Sequence, residues 1–131
     1  MDLELAKHLS VRKKNIILSA LYFVVAADGK IDDAEYDQLV TIRSIIEYTK
    51  FDFVEDRLDG KGLLNGINEL THDEIKLMIS LMISVMVSDG SADQAEFDVI
   101  ITLLISCGYP KNDAEEYVRT ITKGAYSLDI N

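Results

Sequence analysis

Helix breakers, disulfide partners and positive charge are what this chain has little of. One proline, seven glycines and no tryptophan leave long helices few interruptions. The single cysteine, Cys107, excludes an internal disulfide. In the apolar run TLLISCGY it reads as a buried, inert thiol rather than a nucleophile. Thirteen Lys and Arg stand against 23 Asp and Glu, a formal charge of −10, which argues against nucleic acid because phosphate binding needs clustered cations. No apolar run reaches the ~20 residues that cross a bilayer. Ile16 to Ala27 is too short, and Ile75 to Ser88 is short and carries Lys76. The start, MDLELAKHLSVRKK, places acids before bases without an apolar segment, so no signal peptide is expected and a reducing, cytoplasmic setting is. There is no phosphate loop, nucleophile–base pair or His/Cys cluster, so an enzyme is the least favoured class.

What is present is apolar residue in helical register. With 131 residues, 48% of them apolar, the chain is too hydrophobic for a disordered one and long enough for one ordinary domain spanning 1–131. The period predicts a short helix over Leu3–Leu9, then, after Ser10 as cap, a densely apolar one over Val11–Ala27. A third begins near Asp32 and runs to about Tyr48, with Tyr36, Leu39, Val40, Ile42, Ile45 and Ile46 near one face. The middle predicts one or two short helices and a loop at Gly60-Lys61-Gly62. Phe51 and Phe53 there are expected to cover the open side of a bundle. Thr71 with Glu74 is a capping box for an apolar helix over His72–Ser88, whose Met78, Met82 and Met86 read as core. Another helix is expected over Ala92–Cys107, stopped by Gly108 and Pro110. KNDAEEYVRTITK closes the chain as an amphipathic helix capped by Asn112 or Asp113, and GAYSLDIN is a tail.

Shifting the chain by 61 residues aligns SALYFVVAADGKIDDAEYDQLVT with SLMISVMVSDGSADQAEFDVIIT, and nine of 23 positions are identical. Two helical hairpins, about 11–50 and 72–108, therefore share one acidic connection, D-G-x-x-D-x-x-E. The fold class expected is all-α: a bundle of about six to seven helices built on two hairpins related by a pseudo-two-fold axis.

The acidic connection has an ordinary structural explanation. Gly29 and Gly90 end one helix, while Asp32 and Asp93 cap the next, with Glu35 and Glu96 completing capping boxes. Asp28 and Asp89 fit that explanation less well, because a carboxylate at a helix C-terminus faces a negative dipole end. Asp33, Asp37 and Asp98 add charge without a capping role. A calcium loop is the other reading, but an EF-hand alignment puts its first and third ligand positions on Val24 and Ala26, and on Val85 and Val87 in the second copy. None offers a side-chain oxygen, so this is not an EF-hand.

Central apolar helices followed by ADGKIDDAE (Ala27–Glu35) and SDGSADQAE (Ser88–Glu96) resemble the TerB-like family, which takes its name from bacterial tellurite-resistance proteins. The resemblance runs from about Arg12 to Lys123 and includes SCGYPKNDAEEYV as the closing turn and helix. It implies an all-helical fold of two pseudo-symmetric halves and an acidic patch. It also implies a metal or partner site built from Asp28, Asp32, Glu35, Asp89, Asp93 and Glu96. Ala92 and Gln94 replace Ile31 and Asp33 of the first copy, which weakens the case for two equal metal sites.

Three functions are ranked accordingly. First is a non-enzymatic interaction module whose carboxylates, Asp33, Asp37 and Asp98 among them, meet a basic protein partner. Its setting would be a bacterial stress or tellurite response. Second is a divalent-cation binder of calcium or magnesium type; third is an enzyme. His8 and His72 read as surface residues, and a homodimer is compatible with leftover apolar surface.

Overall fold

Two central apolar helices need partners on nearly every side, and the chain provides them from both halves. The computed structural model describes residues 3–27, 29–88 and 93–130, with the backbone alone over 124–130. Among these are seven α-helices, one 3₁₀ turn (Ile67–Glu69) and no strand. The helices are α1 (Leu3–Lys7), α2 (Val11–Ala26), α3 (Asp33–Ile45), α4 (Gly60–Gly66), α5 (His72–Met86), α6 (Gln94–Ser106) and α7 (Lys111–Ile130). None of the described helices is long and apolar enough to cross a membrane.

Helices α2 and α5 pack on each other at the centre. Helix α3 touches both of them, and so does α6. Exchanging the two halves leaves this contact pattern unchanged, as a two-fold relation requires. Both central helices are buried round most of their circumference, with Ile16, Ile17, Leu18 and Leu21 of α2 and Met78, Ile79, Leu81 and Met82 of α5 in one apolar cluster. Burial of this kind stabilises by roughly 1.5–3 kcal/mol per side chain and sets the architecture.

Capping follows the 61-residue offset. Ser10 Oγ accepts from Lys13 N–H and Thr71 Oγ1 from Glu74 N–H, so equivalent residues start α2 and α5. Lys13 and Glu74 are themselves equivalents, and they meet across the centre with Nζ–Oε1 at 2.8 Å. Burial pushes the Glu74 carboxyl up, but the Lys13 hydrogen bond, the Thr71 N–H and the Lys13 charge together hold it below the usual carboxylate range.

Helices α3 and α6 end alike. Glu47 N–H donates to Ser44 O and Tyr48 N–H to Arg43 O, while Gly108 N–H donates to Ile105 O and Tyr109 N–H to Leu104 O. Each is a Schellman turn with a left-handed residue, Glu47 at φ 61° and Gly108 at φ 97°. That turn ends α3 at Ile45, three residues before the predicted Tyr48. On α3, Leu39 and Ile42 are buried, whereas Tyr36 is exposed and meets Phe53 edge-on.

Three other expectations are corrected. Gly60-Lys61-Gly62, expected as a loop, is the first turn of α4, because Asp59 Oδ1 accepts from Gly62 N–H at 2.7 Å and caps it. The close approach of α4 to α2 needs glycine at 66, where a Cβ would lie 3.0 Å from Ile16 Cγ1. Helix α7 starts at Lys111, with Pro110 O accepting from Ala114 N–H. Asn112 and Asp113 therefore sit in its first turn, and Pro110, which has no N–H to leave unpaired, opens the helix. The segment expected as a tail continues α7 to Ile130, since one glycine at 124 costs only about 1 kcal/mol and does not end a helix. The expected start of α6 at Ala92 lies outside the described residues.

Candidate functional site

Three of the four described carboxylates of the two D-G-x-x-D-x-x-E copies bond at helix starts: Asp32 caps α3, and Asp93 with Glu96 forms the complete capping box of α6. Asp32 Oδ1 accepts from Ala34 N–H at 2.8 Å and Glu35 N–H at 3.3 Å. Asp93 Oδ1 accepts from Ala95 N–H at 2.8 Å, and Glu96 Oε1 returns the bond to Asp93 N–H at 3.2 Å. Glu35 and Glu96, at 4% and 5% exposure, are turned into the protein. Asp28 and Asp89 lie outside the described residues. Among the described residues no group of three or more His, Cys, Asp or Glu stands close enough to share a metal ion. Capping has drawn the Asp32, Asp93 and Glu96 oxygens toward backbone N–H groups of their own helices.

Asp33, Asp37 and Asp98 are exposed. Of the three, Asp98 borders a concave feature. A pocket of about 300 Å³, open to solvent, lies where α2, α4 and α6 meet. Leu63 and Leu103 form its floor, Phe23, Leu64 and Val99 its walls, and Asp98 its rim. Leu64 is 41% exposed despite being large and apolar. The Asp98 carboxylate accepts from Gln94 Nε2 at 2.9 Å, one turn back on α6, which holds it beside the opening.

The two halves of the repeat differ at this place. Residues 61 positions from Phe23 and Val99 are Ser84 and Gln38, and Gln38 Nε2 donates to Ser84 Oγ at 2.8 Å. In the first half that bond ties α3 to α5. In the second half the same positions are both large and apolar, and with α4 alongside they leave a hollow. Sequence reasoning missed Phe23, Leu63, Leu64 and Val99. The signal was available in the repeat alignment, where Phe23/Ser84 and Val99/Gln38 are polar-for-apolar exchanges among mostly conservative ones.

Chemically, the arrangement can desolvate one apolar side chain and place a carboxylate next to it. Such a combination suits an amphipathic segment with an apolar anchor and a neighbouring Lys or Arg.

Set against protein-family models, curated proteins and solved structures, the chain gives no match.

Proposed function

We propose that this chain is a non-enzymatic interaction module that captures a basic segment of a protein partner through an apolar anchor seated between α2, α4 and α6. The observation that carries this reading is the open apolar pocket with the Asp98 carboxylate on its rim. The apolar lining would provide affinity. Exposed Asp33, Asp37 and Asp98, in a chain of net charge −10, would steer basic partners and reject acidic ones. The TerB-like resemblance of the acidic connections supports placing the module in a bacterial stress or tellurite response.

The test uses a short amphipathic Leu/Lys peptide and its Leu/Glu counterpart, followed by amide NMR of the labelled protein. Saturable shifts at Phe23, Leu63, Val99 and Thr102, tighter than about 100 μM for the Leu/Lys peptide and absent for Leu/Glu, are expected. Asp98→Lys should weaken the interaction by at least about tenfold. Equal response to both peptides, or no change in Asp98→Lys, refutes the proposal.

A further inference from the structure

A second hollow shares no residue with the first. It lies between the start of α5, the end of α6 and α7, encloses about 300 Å³, and is lined by Ile75, Ile79 and Leu104 below and Lys76, Tyr109 and Tyr117 above, with His72 at its edge. That volume is at the small end of ligand pockets, which span roughly 300–1,000 Å³. Tyr109 Oη and His72 Nδ1 are 2.8 Å apart, and the two rings stack at 6.1 Å. No Asp or Glu is among the described lining residues, although the chain carries ten more acids than bases.

The other half of the repeat shows what occupies the equivalent space. Positions 61 residues before Lys76, Leu104 and Tyr109 are Asn15, Arg43 and Tyr48. Over these lies the segment 51–58. Phe51 and Phe53 are buried, and the Tyr48 ring packs on Phe51 at 5.5 Å. Arg43 Nη1 donates to Phe51 O at 2.9 Å, and Asn15 Nδ2 donates to Asp56 O at 2.9 Å. In the first half, then, aromatic rings fill the hollow, and acceptor oxygens of the same segment receive the polar side chains at its edge. In the second half Pro110 turns the chain straight into α7, and the hollow stays open.

We propose that this hollow is a binding site for a small aromatic monocarboxylate, its ring against half-buried Ile75, Tyr109 and Tyr117 and its carboxylate at Lys76 and the tyrosine hydroxyls. The ligand reproduces the chemistry of the first-half segment: a ring to bury, and an oxygen to accept hydrogen bonds. A single Lys with neutral donors matches one negative charge. A phosphate dianion would call for an Arg fork or a nest of backbone N–H groups. Burial and the neighbouring Tyr109 push the Tyr117 phenol up, so it stays protonated and able to donate.

The experiment is an amide NMR titration of the full chain with benzoate and 3-phenylpropionate, against benzamide and benzylamine at the same concentrations. Saturable shifts at Lys76, Ile79 and Tyr117 with a Kd of about 1 mM or tighter are expected for the carboxylates alone. Exposed Lys76→Met and, separately, Tyr117→Phe should each weaken benzoate by about threefold to tenfold, while Lys61→Met on α4 should not. The proposal is overturned by absence of saturation, by benzamide or benzylamine matching benzoate, or by unchanged affinity in both folded variants.

Discussion

Replacing Glu47 by glycine should make this protein more stable, and the repeat supplies the control. Glu47 occupies the left-handed position of the α3 Schellman turn at φ 61°, where its counterpart in α6 is Gly108 at φ 97°. A side chain in that conformation costs roughly 1–2 kcal/mol through contact of Cβ with the following carbonyl oxygen. Glycine removes this cost, but it returns about 0.5–1 kcal/mol to the unfolded state as added backbone freedom. Glu47 is exposed and sits just past a helix C-terminus, where loss of its negative charge adds about 0.3–1 kcal/mol. The expected net gain is about 1 kcal/mol, near 3–5 °C in Tm for a chain of this size. Urea and thermal unfolding followed by circular dichroism at the helix band would measure it. Glu47→Gln isolates the charge and Glu47→Asn the backbone, since Asn tolerates the left-handed region. Stability should therefore rise in the order Glu, Gln, Asn, Gly. In the reverse direction, Gly108→Ala should lose about 0.5–1 kcal/mol once the reduced freedom of the unfolded chain is set against the left-handed cost, with no steric contribution because nothing lies within 4 Å of a Cβ built there. A neutral or destabilising Glu47→Gly, with Gly108→Ala equally neutral, would refute the reasoning.

Further outcomes follow from other contacts. Asp93→Ala removes the cap and half of the capping box at α6; it should cost about 1 kcal/mol, and the same in calcium as in EDTA when unfolding is compared. Gly66→Ala forces a Cβ to 3.0 Å from Ile16 Cγ1 and 3.2 Å from Cδ1, which should cost about 1–3 kcal/mol as overpacking. Ile16→Val, which removes Cδ1, should recover part of that cost in the double mutant, read by urea unfolding. Lys13→Met strands the Glu74 carboxylate and should cost about 1–2 kcal/mol at pH 7 after allowing for Lys13's partial exposure. Because Glu74 is held below its ordinary 4.5, its contribution is present above that pH and is lost as pH falls through the native value. The deficit of Lys13→Met should therefore shrink between pH 5 and pH 3, and a deficit independent of pH would show that the pair contributes nothing electrostatic.

Much of the fold was legible because its signals are local. Ser10, Asp32, Thr71 and Asp93 all cap the helices expected of them, and each cap involves a backbone N–H no more than three residues away. The apolar density of α2 and α5 placed them at the centre, and Met78, Met82 and Met86 are fully buried there. Local signals misled where a residue type has two uses. Glycines at 60 and 62 suggested a loop, but Asp59 caps them into a helix whose packing on α2 outweighs their poor propensity. Glu47 gave no sign of a left-handed turn, because the turn is imposed by Arg43 and Ser44 carbonyls that need donors.

The candidate sites were barely legible. Asp98 was named for its charge alone; its neighbours in the pocket, Phe23 and Leu63, are 75 and 35 residues away in the chain. His72 was placed at the surface, where it is, but its bond to Tyr109 spans 37 residues. By itself the sequence determined the four helices of the repeat, the caps of α2, α3, α5 and α6 and the doubling of the hairpin, since these depend on neighbours within a turn or on a repeat that can be aligned. Where α4, the 51–58 segment and α7 lie against that doubled frame was decided only by tertiary packing, because a pocket is space left between surfaces from distant parts of the chain and no residue carries it alone.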